Sequence, residues 1–393
     1  MPGENALRPR SCAVIGAGVL GAGVAARLAE AGIGVTLLEQ AEPGRAATRS
    51  SFAWLNANDK APRAYHDLNH AGMRAWAGLS ASPGGAAWYR PAGNIEWAVS
   101  GAGRALLAAR VHRLAGWGYP ARLIDAAEAA RLEPSLRLPQ PAPDIAWFPD
   151  EGYLLTEPLV SQLVGQAAGH GATVLTGEPG RVVSLDTADG ALRAVRTAAG
   201  LVMAADAVVC CAGRWVPELA ALATVACPVP LVPWAPPGAA APGLVVQAGP
   251  VTPPGPTRMV HTPEVYLRPH SGGLMHLEAP DAAVDLHTPD TELRRWADEL
   301  LRRARLVVRG LADATVVGYR VCVRPMPVDG QSIVGWLPGA SGLYVAVTHS
   351  GVTLGAHVAQ LITTELVSGS AAAELAPYRP DRFIPTAPAP ERN

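Results

Sequence analysis

Apolar residues along the chain fall into two kinds of stretch, short unbroken runs that suit buried strands and longer ones with a helical repeat. The first run, Cys12–Ile15, stops at Gly16. An Ala/Leu-rich stretch from about Val19 to Ala31 follows, and then a second run that closes on Glu39. A short apolar run bounded by turn residues predicts a strand covered on both faces, and the repeat between two such runs predicts a helix. Tyr65, Leu68, Met73 and Trp76 share one face of a helix predicted over 63–79. Further helices are predicted over about 102–115, just after Asp125, from Thr156 with Pro158 in its first turn, over 289–306 and over 350–367. Strands are predicted at 87–89, 94–99, 173–175, 181–185, 207–211, 316–323, 332–336 and 343–347. The proline-dense stretch 227–256 suits an irregular antiparallel sheet, and the Pro-rich tail after Pro377 is expected to be mobile.

The first strand, helix and second strand carry a fingerprint. Gly16, Gly18 and Gly21 stand at the strand-to-helix turn, where missing β-carbons allow a tight turn, let a pyrophosphate approach backbone N–H groups and let helix and strand pack closely. The helix would aim its positive end at the phosphates, and Glu39 stands where a carboxylate accepts from ribose hydroxyls. The chain therefore holds a dinucleotide. Pieces of this kind recur at both ends with a different pattern between them, so the expected fold is α/β with an α+β insert. A discontinuous Rossmann-like domain (1–84, 146–216 and 318–393) would bind the nucleotide, and a mixed-sheet domain (85–145 and 217–317) the substrate. The loop from Ala41 to Lys60 is long for a connector and is expected to carry function.

Composition narrows the partners. A formal net charge of −1 offers no field for a polyanion, so nucleic acid is not expected. Five cysteines without a C-x-x-C pair suggest neither zinc nor a disulfide framework and fit a reducing, cytoplasmic setting. No signal-peptide pattern is read at the N-terminus. The charge-free stretch from Gln331 to Thr364 is broken by Pro338, Gly339, Gly342 and Gly351, so it reads as strands and a buried helix rather than a membrane span.

Three later segments resemble one family. Ala207-Val-Val-Cys-Cys-Ala-Gly213 with Trp215 is similar to the second glycine turn of FAD-binding oxidoreductases. Cys322-Val-Arg-Pro-Met-Pro-Val-Asp-Gly330 with Ile333-Val-Gly335, and Leu343-Tyr-Val-Ala-Val-Thr-His-Ser-Gly-Val-Thr-Leu354, resemble the C-terminal blocks of the D-amino acid oxidase, glycine oxidase and sarcosine oxidase (DAO) family. The resemblance implies a flavoprotein that moves a hydride from the carbon beside a substrate nitrogen to flavin N5, leaving an imine. Oxygen or another acceptor would then reoxidise the flavin. Two other readings stay open: oxidation of an amine without a carboxylate, in specialised biosynthesis, and a subunit that binds FAD without turnover.

The cofactor contacts so implied are Gly16, Gly18, Val19, Leu20, Gly21, Glu39, Gln40, Ser50, Ser51, Val182, Ala212, Gly213, Trp215, Cys322, Ser350, Gly351, Val352 and Thr353. Arg324, before a proline, would bind the substrate carboxylate as in amino acid oxidising members; the bland alternative is a structural ion pair with Asp329. Cys322 falls where sarcosine oxidases link the flavin covalently, although a small buried residue is equally natural there, and noncovalent FAD is expected. His276 falls where those enzymes carry an oxygen-activating lysine, and is read as a catalytic candidate able to supply positive charge, with a mostly neutral ring as the alternative because imidazole titrates near neutrality. Thr353 replaces their carboxylate-binding lysine. His349 is placed near the flavin as a further catalytic candidate, Tyr266 and Trp54 are read as substrate contacts, and Arg268 is considered for the pocket wall. No metal site is expected.

Overall fold

The computed structural model describes residues 8–223, 229–233 and 241–384. Cys227 and parts of the proline-dense stretch, like the tail from 385 onward, lie outside the described residues. The chain divides into two compact units, 1–48 with 157–232 and 324–393, and 49–156 with 233–323. Relative to the division at 84, 146, 217 and 318, residues 49–84, 146–156 and 318–323 pack in the second unit and 217–232 in the first.

The first unit is built on a six-stranded sheet in the order Ile333–Trp336, Leu343–Val347, Ala207–Cys210, Ser11–Ile15, Gly34–Glu39, Thr173–Thr176. All neighbours are parallel except the antiparallel edge strand Ile333–Trp336. Helix Val19–Glu30 leaves the carboxyl end of Ser11–Ile15, and helix Gly351–Ser368 follows Leu343–Val347. The two helices pack closely, since a β-carbon on Gly23 would lie 3.3 Å from Ala359 Cβ. The antiparallel strands Val182–Ala188, Ala191–Thr197 and Val202–Ala204 contribute Leu185, Leu192 and Val195 to a core shared with Val208 and Val345. Coverage on both sides explains why the central strands are unbroken apolar runs. Strand order on either side of Ser11–Ile15 runs in opposite directions, which makes its carboxyl end the switch point where α/β sheets bind ligands.

The expectation of a mobile segment after Pro377 is corrected for the described part of it. Residues Ala373–Tyr378 and Pro380–Phe383 form short 3₁₀ helices. Arg379 pairs with buried Glu365, and Arg382 with Asp329 at 2.9 Å. Proline-rich composition hid these anchors, both of which depend on long-range partners.

The second unit is an eight-stranded sheet in the order Thr315–Val323, Pro242–Gly249, Leu274–Glu278, Tyr266–His270, Met259–His261, Asn94–Ala98, Asp144–Phe148, Arg122–Ile124. Its pairs are antiparallel apart from Met259–His261 with Asn94–Ala98. Side chains alternate, so one face carries Ile95, Val260, Leu267, Leu277 and Val246 and packs with Leu300, Leu301 and Ala304 of helix Asp290–Val307. The opposite face carries polar residues. A small antiparallel sheet of Trp54–Leu55, Gly152–Leu154 and Tyr89–Arg90 belongs to the same unit. Phe52, Trp54 and Tyr153 lie against that polar face.

Candidate functional site

In the first unit the glycine turn has the shape that a bound pyrophosphate requires. Gly16 takes φ +95°, and a β-carbon there would come within 2.8 Å of the Cys211 carbonyl oxygen. A β-carbon on Gly21 would sit 1.9 Å from the Gly16 oxygen, an overlap no packing adjustment relieves. Gly18 precedes helix Val19–Glu30 and offers it no side-chain cap; a β-carbon there would lie 3.1 Å from Thr48 Oγ1, which accepts from Val19 N at 3.1 Å. Leu20 is buried in the first turn. The Glu39 carboxylate accepts from Ala17 N at 2.9 Å and Ala41 N at 3.0 Å, so it is fixed as an acceptor with lone pairs left over, and Gln40 beside it is exposed. These residues fit a dinucleotide: a close backbone approach, a helix start and a ribose-directed acid on adjoining strands.

The other first-unit candidates lie at corresponding strand ends. Ala212 and Gly213 follow Ala207–Cys210; Gly213 is at φ +58° and Arg214 stacks 4.3 Å over the Trp215 ring. Val182 starts its strand opposite Thr197 and is half-buried. Thr348 Oγ1 accepts from Ser332 Oγ at 2.8 Å and Ser350 N at 3.2 Å, which locks the turn carrying His349 into the helix that starts at Gly351. Val352 and the buried Thr353 form that helix's first turn. Two helices thus start at the carboxyl ends of parallel strands of one sheet, with positive ends suited to anionic groups. Arg324 is half-buried at the start of the last segment of this unit. Asp329, the structural partner considered for it, holds Arg382 with both oxygens.

In the second unit the polar sheet face gathers several candidates. Register places Glu96, His261, Tyr266, Glu278 and Arg320 in one row, and Arg268, His276 and Gln247 in the next. Cys322, opposite Gly243, lies on the same face and is buried. Arg268 is 1% exposed. It donates to the Phe52 carbonyl, to the Pro269 carbonyl at 3.0 Å and to His276 Nδ1 at 2.8 Å, with the Tyr153 ring 4.6 Å away. None of these partners is a carboxylate. Burial lowers its pKa to about 10, which leaves it charged at neutral pH.

Of the two states open to His276, its surroundings favour the neutral one. Burial, with Arg268, His270 and Arg320 adding to it, drives the imidazole pKa far below its ordinary value. Arg268 donates to Nδ1, so that nitrogen is a lone-pair acceptor, and Nε2 faces the Gln247 amide at 2.9 Å. The cation of this cluster is Arg268, and His276 is its neutral holder.

Trp54 and Tyr266 are brought together around a residue the sequence reading passed over, His261, at ring distances of 4.2 and 4.5 Å. Ser50 ends a four-residue helix, Ala47–Ser50, in the same loop, and Ser51 Oγ accepts from Ala53 N at 2.8 Å, stabilising Ala53 at φ +58°. Glu151, fully buried, receives Trp54 Nε1 at 2.8 Å and Asn94 Nδ2 at 2.9 Å on Oε2, and meets Tyr119 Oη at 2.8 Å on Oε1. Burial pushes this carboxyl up to about 8 despite those donors. An indole N–H can only donate, so Oε2 is an acceptor whether or not the carboxyl is protonated; the proton, when present, sits on Oε1 toward Tyr119. The polar–apolar alternation of Asn94-Ile-Glu-Trp-Ala98 was the signal available for Asn94 and Glu96. Nothing local marks Glu151.

Among the described residues no helix is long and apolar enough to cross a membrane, and no group of acidic, histidine and cysteine side chains could hold a metal ion. The chain matches the family model of FAD dependent oxidoreductases (DAO) over residues 11–365. It is 26% identical to the uncharacterized oxidoreductase YurR of Bacillus subtilis (strain 168), over 94% of this chain and 98% of that protein. Its fold is similar to that of L-proline dehydrogenase from P.horikoshii, with TM-score 0.82 at 18% identity over 96% of this chain and 98% of the other. Glycine oxidase from Geobacillus kaustophilus superposes with TM-score 0.78 at 22% identity, over 96% and 100%.

Proposed function

The chain belongs to the DAO family of FAD-dependent oxidoreductases, and from that premise we propose that it oxidises the C–N bond of an amino acid or an N-substituted amino acid. Bound FAD would supply the two-electron oxidation of the carbon beside the nitrogen. The protein's own share is to bind, orient and shield the substrate.

The observation that carries this reading is Arg268. A guanidinium buried to 1% exposure and hydrogen-bonded only to two carbonyls and an imidazole, with the Glu278 carboxylate near enough to favour its charge but not bonded to it, leaves a positive charge in the interior without a direct ion pair. An anionic substrate group would balance that charge. Arg324 is the proposed anchor of the substrate carboxylate through a two-pronged pair. His349, at the start of helix Gly351–Ser368, is proposed to lie beside the flavin, where the helix's positive end favours negative charge. The flavin is proposed to be noncovalent. We also propose a reducing, cytoplasmic setting, supported by the buried free thiols Cys12, Cys210, Cys211 and Cys322; recovery of the native protein from outside the cell would sink that point.

The test is anaerobic titration of the yellow protein with a panel of amino acids, N-alkyl amino acids and simple amines, following loss of the flavin's visible band. Bleaching by amino acids is the expected result. Bleaching by amines alone would favour the carboxylate-free reading, and no bleaching by any member would leave a flavin-binding protein without turnover.

A further inference from the structure

His261 ends the strand Met259–His261, opposite Glu96 on one side and Tyr266 on the other. It is 2% exposed, yet its two nitrogens are treated differently. Nδ1 meets Asn94 Oδ1 at 2.7 Å, while Nε2 is buried without a hydrogen-bond partner. The tautomer follows from the chain of contacts behind it. Glu151 Oε2 already accepts from Trp54 and is an acceptor in either protonation state, so Asn94 must turn its NH₂ toward Glu151 and its carbonyl toward His261. A carbonyl can only accept, so Nδ1 carries the proton and Nε2 presents a bare lone pair.

An orphaned buried acceptor is costly, and native proteins seldom keep one without use. Burial and the nearby Arg110 guanidinium bring this imidazole down to about 3, so it remains neutral and accepts a hydrogen bond rather than a proton. Its surroundings are flat and apolar: Trp54 and Tyr266 as described, and Phe52 edge-on at 5.8 Å. The charged groups nearby are Glu96, Glu278 and Arg110. Glu96 holds Arg110 in an ion pair and receives Asn58 Nδ2 at 3.3 Å. Arg110 Nε and Asn58 Oδ1 are themselves buried and unmatched.

Building on the amine-oxidation reading, we propose that His261 Nε2 recognises an N–H or O–H donor of the substrate, carried on a flat or apolar body, with Asn94 and Glu151 as the positioning residues that fix its tautomer. The donor has two sources, a group on the substrate's side chain or the hydrogen of the reacting nitrogen. A site built around a hydrogen bond rejects the analogue that lacks it far more strongly than an apolar pocket rejects a methyl group.

The test uses the FAD-loaded enzyme and probes that differ by one donor hydrogen. Tyrosine against phenylalanine, and tryptophan against 1-methyltryptophan, examine a side-chain donor; N,N-dimethyl against N,N,N-trimethyl forms of the same amino acids, which differ by the last ammonium N–H, examine the reacting nitrogen by binding alone. Each is used in both enantiomers. Flavin bleaching gives kcat and KM, and quenching of intrinsic fluorescence gives binding without turnover. The expected result is at least about ten-fold weaker binding and higher KM for the donor-free member of one pair, with kcat changed much less. His261→Phe, which keeps a ring between Trp54 and Tyr266, should bring that ratio to about one. Equal binding within every pair, or a ratio that survives His261→Phe, would overturn the proposal. Donor-dependent quenching that is lost in His261→Phe, without bleaching by any amine, would uphold this site and reject amine oxidation. Should His261→Phe fail to fold, imidazole ¹⁵N shifts in the wild-type holoenzyme decide. A neutral Nδ1–H tautomer from about pH 6 to about pH 9, with Nε2 shifted by the donor probe, is expected, and an Nε2–H tautomer overturns the proposal.

Discussion

The first unit builds its candidate site from main-chain groups, and the second from side chains. At the glycine turn the chemistry resides in N–H groups, a helix start and the absence of β-carbons at Gly16 and Gly21, with Glu39 the chief side chain. In the second unit it resides in Arg268, His276 and His261 on the polar sheet face and in Glu151 beside them, each fixed by hydrogen-bond partners from other segments of the chain. A site made of backbone depends on space and fails when atoms are added. One made of side chains depends on charge and hydrogen-bond direction, and fails when a single partner is removed.

The largest effect is expected where added atoms meet backbone. Gly21→Ala places a methyl group 1.9 Å from the Gly16 oxygen, and should cost about 3 kcal/mol or more and release FAD. Gly18→Ala, facing a hydroxyl at 3.1 Å, should only weaken loading. Flavin content and melting temperature check both, and equal behaviour of the two variants would break the steric side of the comparison.

Removing a charge comes next. Arg324→Met should keep fold and colour while losing on the order of 2–5 kcal/mol toward carboxylate substrates, seen as a raised KM with a smaller change for amines lacking a carboxylate. Unaltered kinetics on an amino acid substrate would remove Arg324 as the anchor.

A smaller effect should appear as a slope. Burial pushes the Glu151 carboxyl from an ordinary 4.5 up to about 8, so between those values the folded state should hold a proton that the unfolded state has lost. Stability therefore falls as pH rises through this window, by an amount on the order of a few kcal/mol. Glu151→Gln preserves an acceptor for Trp54 and Asn94 and should flatten that fall. Melting curves at the two ends of the window, with the same slope in variant and wild type, would count against a buried titrating carboxyl.

The smallest effect concerns Cys322. Buried opposite Gly243, it should tolerate Cys322→Ala with flavin content unchanged, and acid precipitation of wild type should leave a colourless pellet. A yellow pellet that the substitution bleaches would establish a covalent link.

The same contrast explains how much could be read from the chain. The shape of the glycine turn was legible because Gly16, Gly18 and Gly21 act through local backbone geometry, and helices such as Arg63–Ser80 and Gly351–Ser368 through local periodicity. Tyr266 and Trp54 were identified singly, but not the imidazole that joins them. Asn94 lies 57 positions from Glu151 and 167 from His261, so only the folded sheet brings the three into line. The neutral state of His276 was not decidable for the same reason: it is set by burial, with Arg268, a neighbour only in space, adding to it. The segment 378–384 misled because Glu365 and Asp329, which anchor it, leave no mark in its own composition.

Tyr119 sits on the far side of Glu151 from Asn94 and can either donate to the carboxyl or accept from it. That freedom makes the tyrosine a shock absorber. A proton arriving at or leaving Glu151 is taken up by rotation of one hydroxyl on the Oε1 side, and no donor on the Oε2 side has to reverse. The imidazole at the other end is insulated from the event, so this enzyme's choice among substrates should stay constant across a pH range over which its stability does not.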